Sequence, residues 1–386
     1  MQMPRIGFIS HDAVLNGAPI TLAELVLELA GKNGREGLAL GFPVAGPLLR
    51  RYDFSGVELF IFGRSLAGRE IPMGRPGIRR RLSRIFASRK FDLVVANSLE
   101  SFRAVEAAAD LEIPVIWLIH ELASSYRERR EWSDIRSAAG RADRLIFNSR
   151  IGRSQVDLLG PGLLQKSRVI YPGITLKRPE TGERFPSRGE SPVLGVIGDI
   201  CPQKGHRDLI DAFSIISGRC PAVRLVIAGR VPRRYRAFQR ELEDRIRELG
   251  LEARVRFDGE FFDIRRRLEG FDLLIQPSRR ESFGRVAAEA LALQVPVAAV
   301  RSGGVEEIIT DGETGYLVPP RDPSALAAAV LRILDDPETA RQTARRGRRA
   351  VETRFSLPRY AGDIGDEIKV LLGRSPVEPG TVRSSG

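Results

Sequence analysis

The chain has 386 residues, 42% of them hydrophobic and 28% charged, which suffices for two domains with separate cores and is ordinary for a soluble globular protein. Its formal charge of +12 suits an anionic substrate, a membrane surface or nucleic acid, although an arginine-rich composition also follows from a GC-rich genome. No zinc finger, aromatic RNP-type strand or helix-turn-helix pattern accompanies that charge, so no nucleic acid is expected as a partner.

No run approaches the length of an apolar membrane span, and Met1–Ser10 enters a strand-like segment without a signal-peptide core, which predicts a cytoplasmic protein. Cys201 and Cys220 alone give neither a disulfide framework nor a cysteine metal site, and they fit a reducing compartment.

In the first half, Ile6–Ser10, Leu38–Phe42, Val57–Phe62, Leu93–Ala96, Val115–Ile119 and Leu145–Phe147 read as strands. Ile20–Gly31 and Ser101–Ala109 are among the helical segments between them. Such alternation predicts a parallel sheet covered by helices on both faces, with ligands beyond the carboxyl ends of the strands. The loop His11–Pro19 after the first strand carries Gly17, where backbone can approach a ligand and a helix start can face a phosphate. A plain loop glycine is the alternative. The loop lacks Gly-x-Gly-x-x-Gly, which argues against a nicotinamide enzyme.

From Ile78 to Lys90, the apolar Ile78, Leu82, Ile85 and Phe86 share one helical face while arginines crowd the other. This helix either lies on anionic lipid, making the protein peripheral at the inner face of the membrane, or packs its apolar stripe on the sheet with the arginines in water. The fifth strand ends in Trp117-Leu118-Ile119-His120-Glu121, which puts His120, one of three histidines in the chain, on the ligand side by the same rule. Asn97-Ser98 and Asn148-Ser149 follow the fourth and sixth strands, with Ser149 read as a helix N-cap.

Pro172, Pro179, Pro186 and Pro192, among scattered charges, read as an interdomain linker over 173–192. Beyond it, Val193–Gly198 is a buried strand that leads through Asp199 to Lys204-Gly205-His206 and a helix. Lys204 is placed to neutralise a diphosphate as a leaving group's charge grows. Arg230 follows the strand Arg224–Ala228.

A further apolar run, Phe271–Gln276, ends in Pro277-Ser278-Arg279-Arg280-Glu281-Ser282-Phe283-Gly284-Arg285, after which helix formers continue through Glu289 to Leu293. The backbone N–H groups around Ser282 to Arg285 form the positive end of that helix, a site suited to phosphate. A carboxylate lies on each side, Glu281 in the turn and Glu289 in the helix. Val295–Ala299 is the next buried strand, the glycines after it mark turns, and no internal repeat is evident.

The run from Pro277 to Ala292 resembles the Glu-x7-Glu signature of retaining glycosyltransferases, family 4 in particular, in the spacing of Glu281 and Glu289, the preceding Pro277-Ser278 and the internal Phe283-Gly284. The resemblance implies an α/β protein of the GT-B fold, two Rossmann-like parallel-sheet domains facing across a deep cleft. It divides the chain into an acceptor domain over 1–172, the linker, a donor domain over 193–356, a crossover helix over 357–373 returning to the first domain, and a disordered tail over 374–386.

It also implies roles. Glu281 contacts the donor sugar, Phe283 and Gly284 offer amides to sugar and diphosphate, Glu289 holds the ribose, Gly17 borders the diphosphate and His120 lies against the transferred sugar. Lys204 fits the lysine of the family's Gly-Arg-x4-Lys-Gly pattern, but Asp199 stands where its arginine belongs, and Arg230 and Arg285 are the candidates to compensate.

The implied reaction is retaining transfer of a sugar from a UDP- or GDP-sugar to a saccharide or lipid-linked acceptor in cell-envelope polysaccharide or glycolipid synthesis. His120, Lys204 and Glu281 are its catalytic candidates. Without an Asp-x-Asp pair or clustered histidines, no catalytic metal and no cofactor beyond the nucleotide-sugar co-substrate are expected. A sugar-nucleotide 2-epimerase of the same architecture and a non-catalytic sugar-nucleotide-binding subunit are the alternatives.

Overall fold

The computed structural model describes residues 3–33, 36–63, 77–176, 191–261 and 263–373. The chain divides into two compact units, the first made of Met1–Gly173 and the segment from Leu357 onward, the second of Ile174–Ser356. Most of the Pro-rich stretch expected as a linker, and the expected tail from residue 374, lie outside the described residues. The chain changes unit between Gly173 and Ile174, and Ile174 already pairs with unit 2, its N–H bonded to the carbonyl of Phe355 at 2.7 Å.

Unit 1 is built on a seven-stranded parallel sheet with β1 (Ile6–Ile9), β2 (Leu38–Phe42), β3 (Glu58–Ile61), β4 (Leu93–Asn97), β5 (Val115–Ile119), β6 (Arg144–Phe147) and β7 (Ser167–Val169). Its order is β3-β2-β1-β4-β5-β6-β7. The central strands are unbroken apolar runs because helices cover both faces. The short β7 was not anticipated; Ser167-Arg168-Val169 has no apolar run, and it pairs with β6 through its backbone.

The basic helix, Ile78–Arg89, buries Ile78, Leu82 and Phe86 in the core of unit 1. Of its two readings, the apolar stripe therefore belongs to the protein interior, where each such side chain contributes about 1.5–3 kcal/mol. Arg79 is paired with Asp110 and Arg89 with Glu58, while Arg80 and Arg84 face solvent. The last helix, Leu357–Leu371, sets Tyr360, Ala361, Ile364 and Ile368 into the opposite core of the same sheet, beside the first helix, Gly17–Asn33. Lys32 donates to the carbonyl of Pro358 at 2.9 Å, and Arg144 pairs with Glu367 at 2.7 Å. Among the described residues, no helix is long and apolar enough to cross a membrane.

Unit 2 has a six-stranded parallel sheet with β8 (Val193–Ile197), β9 (Arg224–Ala228), β10 (Val255–Gly259), β11 (Leu273–Gln276), β12 (Val297–Val300) and β13 (Tyr316–Val318), in the order β10-β9-β8-β11-β12-β13. Its later helices, Pro323–Asp335 and Pro337–Arg354, both begin with Pro behind an Asp cap. Asp322 accepts from the Ala325 amide at 2.8 Å and Asp336 from the Thr339 amide at 3.0 Å.

The two units share a short local device at the start of one strand each. Phe91-Asp92-Leu93 starts β4 and Phe271-Asp272-Leu273 starts β11. Asp92 accepts from the Arg5 amide and Asp272 from the Val193 amide, each at 2.7 Å, so each aspartate ties its strand to the first strand of its unit. The Phe rings cover Gly7 and Gly195. An added Cβ would lie 2.6 Å from the Phe91 ring and 2.0 Å from the Phe271 ring. Strand order reverses at β1/β4 and at β8/β11, and the carboxyl ends of those strands are the ligand side of such sheets.

Candidate active site

In unit 2 the loops after β8 and β11 are packed together. Gly205, which precedes the helix His206–Arg219, has φ 70°, and a Cβ there would fall 1.9 Å from the Pro277 carbonyl. Only glycine permits that approach, and it delivers Lys204 to Glu281, Nζ to Oε2 at 2.8 Å. Gln276, the last residue of β11, donates to the same carboxylate oxygen at 3.2 Å. Burial acts to lower the pKa of Lys204, but Glu281 outweighs it by charge and hydrogen bond, with Cys201 and Asp199 adding to the effect. The net shift is upward and keeps Lys204 cationic.

The main chain of Glu281 is fixed on both sides. Its N–H bonds the Ser302 carbonyl at 2.8 Å and its carbonyl accepts from Gly304 at 2.9 Å. Gly304 is more than a turn marker, since a Cβ would lie 2.1 Å from the Ser282 carbonyl. Gly284 (φ 102°) then caps the helix Arg285–Ala292. The Phe283 side chain is buried edge-on against Phe355 at 5.5 Å between ring centroids, which orients the main chain around Ser282, Phe283 and Gly284.

Within that helix Arg285 pairs with Glu289, Nε to Oε1 at 2.8 Å, both side chains largely buried. After β9, Arg230 pairs with Asp199 at 3.1 Å and lies 3.9 Å from Glu260. Sequence spacing named these residues but not their pairing. Lys204 meets Glu281, Arg285 meets Glu289, and Arg230 meets the aspartate that stands in the arginine position.

In unit 1 the polar groups gather after β1, β4 and β5. His120 Nε2 is 2.7 Å from Asn97 Oδ1, and Asn97 Nδ2 donates to the Ala18 carbonyl at 3.1 Å. Since the amide of Asn97 is oriented by Ala18, its oxygen faces the imidazole, so His120 Nε2 is the donor. Asn148 Nδ2 donates to the His120 carbonyl at 3.0 Å. Ser149 caps the short helix Arg150–Arg153, accepting from Gly152 at 3.0 Å.

Gly17 is the first residue of its helix, next to Ala18, and a Cβ there would meet nothing within 4 Å. No protein group therefore demands glycine at this position. Among the described residues, no group of three His, Cys, Asp or Glu side chains is placed to hold a metal ion.

Comparison with known proteins gives these features a context. The family model described as Glycosyl transferases group 1 matches residues 177–350, and that described as Glycosyltransferase Family 4 matches residues 16–178. The chain is 30% identical over 312 residues to a glycogen synthase from Mycobacterium tuberculosis, covering 77% of this chain and 74% of that protein. Over 181 residues it is 33% identical to the lipopolysaccharide core biosynthesis mannosyltransferase LpcC of Rhizobium leguminosarum bv. viciae, covering 47% of this chain and 51% of that one. The crystal structure of Anabaena Alr3699/HepE in complex with UDP and glucose matches with a TM-score of 0.80 over 95% of this chain and all of that one, at 23% identity, a likeness of fold. With two parallel-sheet α/β units of this kind and matches of this extent, the chain belongs to the GT-B glycosyltransferase superfamily.

Proposed function

We propose that the protein is a retaining, metal-independent hexosyltransferase of family 4, which moves a sugar from a UDP- or GDP-sugar to a saccharide or lipid-linked acceptor in cell-envelope polysaccharide or glycolipid synthesis. The observation that carries the reading is the Lys204–Glu281 pair beside the helix start at Gly284, where strand order reverses between β8 and β11. The mannosyltransferase named above is a lipopolysaccharide core enzyme, and the HepE structure holds UDP and glucose, which supports both the donor and the acceptor class.

The donor is assigned to unit 2. Lys204 exchanges Glu281 for the diphosphate, where its charge grows in value as the leaving group departs. Glu281, still held by Gln276, then accepts from hydroxyls of the donor sugar. The N–H groups of Ser282 to Arg285 hold phosphate oxygens. Arg285 and Glu289 separate their charges between phosphate and ribose, and Arg230 adds a second cation to the diphosphate. Gly17 and His120 of unit 1 serve the diphosphate and the transferred sugar. The acceptor attacks the face the nucleotide leaves, and the departing phosphate takes its proton. The arginine face of Ile78–Arg89 is assigned to an anionic membrane surface, the site of a lipid-linked acceptor.

A thermal-shift panel of UDP, GDP and ADP sugars tests the donor, since a ligand of the folded state stabilises it by mass action. NMR of the product's anomeric centre tests retention. Asp199 favours one other reading, a non-catalytic binder; nucleotide binding without transfer or hydrolysis across a broad donor and acceptor panel would select it. Turnover of donor without any acceptor to a 2-epimer would select the epimerase.

A further inference from the structure

The turn after β4 holds a backbone conformation that the proposed chemistry does not explain. Ser98 has φ 78° and ψ 151°, a combination close to a region essentially confined to glycine. Such a residue persists only when its surroundings over-determine it, and they do. Its N–H bonds the Leu118 carbonyl at 2.8 Å, and its carbonyl accepts from Trp117 Nε1 at 2.7 Å and from the Ser101 amide at 3.0 Å.

The Glu100 amide donates to Ser98 Oγ at 3.2 Å, and a further hold on this turn is Glu121. Ser98 Oγ donates to Oε1 at 2.5 Å, while Oε2 accepts from the Leu99 amide at 3.1 Å and from the His120 amide at 3.2 Å. One carboxylate thus joins the turn after β4 to the peptide after β5, the two strand ends that carry Asn97 and His120. Loss of solvent pushes the Glu121 carboxyl up, against the Ser98 hydrogen bond and the nearby His11. A desolvated acid is costly to keep unless its hydrogen bonds are made, and here both of its oxygens are engaged.

We propose that Glu121 is a positioning residue for His120: by clamping the strained Ser98–Leu99 turn to the His120 peptide, it keeps the imidazole against Asn97 Oδ1 as the Nε2–H tautomer. Nδ1 is then the acceptor nitrogen of the ring, the form in which it can take a hydrogen bond from a sugar hydroxyl. The kinetic consequence rests on the assignment of His120 to the transferred sugar; the tautomer does not.

With three histidines in the chain, ¹⁵N NMR resolves the question directly, each assigned by a single substitution. The wild type should show His120 as the Nε2–H tautomer. Glu121→Ala should give a tautomer average, and kcat should fall on the order of 10²-fold with the nucleotide Kd unchanged. Glu121→Gln should keep the tautomer and most of the turnover, since its oxygen can accept both amides while its NH₂ donates to Ser98. If Glu121→Ala does not fold, Ser98→Ala, which breaks one arm of the clamp without touching the carboxylate, carries the same readout in weaker form. A wild-type tautomer in every folded variant would overturn the proposal, as would a kcat loss matched by an equal loss of nucleotide affinity. Absence of nucleotide binding in the wild type would instead sink the donor reading and leave the tautomer result to decide this one.

Discussion

The two units begin their switch strands with the same Phe-Asp-Leu, the same bond from aspartate to the first strand and the same ring over a glycine, yet they end those strands with different chemistry. After β8, β9 and β11, unit 2 presents ion pairs, among them Lys204–Glu281, Arg230–Asp199, Arg279–Asp208 and, one helical turn on, Arg285–Glu289. After β4, β5 and β6, unit 1 presents chiefly amides and an imidazole, Asn97, His120 and Asn148, with Glu121 turned inward on Ser98 and the neighbouring amides and Glu100 paired with Arg129. Paired cations suit a ligand that arrives with charge and redistributes it, whereas hydrogen-bonding groups of fixed orientation suit hydroxyls. On the proposed function, one scaffold carries two kinds of recognition, and the difference lies in a few residues after each strand.

The sharpest way to break this contrast is Lys204→Ala. It should cost roughly 2.7–4 kcal/mol in the barrier, as loss of an oxyanion donor does, with the fold intact. Turnover near that of the wild type would remove Lys204 from the chemistry. Acid should then separate the units. His206 is fully buried in unit 2, and that burial, with Lys204 nearby, brings its pKa down to about 4. The unfolded chain binds the proton first, so this contribution is complete above about pH 6.5 and is lost as the pH falls toward 4, on the order of 3 kcal/mol in all. Chemical denaturation at pH 7 and pH 5 should show unit 2 weakening most, and His206→Phe should flatten the dependence. An unchanged slope in that variant would assign the loss to other groups.

Gly7→Ala and Gly195→Ala probe the shared clasp. Each forces a methyl into a Phe ring and should cost about 1–3 kcal/mol by denaturant titration, with the 2.0 Å contact in unit 2 the more severe. Indifference at either position would end the equivalence of the two devices. The smallest effect is expected from replacing Arg84 alone by Gln, which should weaken sedimentation with anionic vesicles by about 1 kcal/mol and leave Tm unchanged. Equal sedimentation of variant and wild type would withdraw the membrane assignment.

Strands and their order of appearance were legible because doubly covered parallel strands are written as apolar runs, and the Glu281–Glu289 segment was legible because its spacing and flanking residues are distinctive. What was not legible depends on distance along the chain. Lys204 and Glu281 are 77 residues apart, and nothing local joins them. The need for glycine at 304 comes from Ser282, and the hold on Ser98 from Glu121. The basic helix was ambiguous since an amphipathic stripe reads alike whether it faces lipid or a core; the packing of Leu82 and Phe86 decides it. Gly17 drew notice as a glycine in the right loop, but its neighbours leave it sterically unconstrained.

Because Leu357–Leu371 completes the core of unit 1, that unit cannot finish folding until synthesis has passed Leu371. On the ribosome, unit 2 lies wholly between the two pieces of unit 1 and emerges before the second of them. The growing chain therefore carries an open apolar groove on its first sheet for much of its synthesis, a feature that chaperones would meet first and that a stop codon ahead of residue 357 would make permanent.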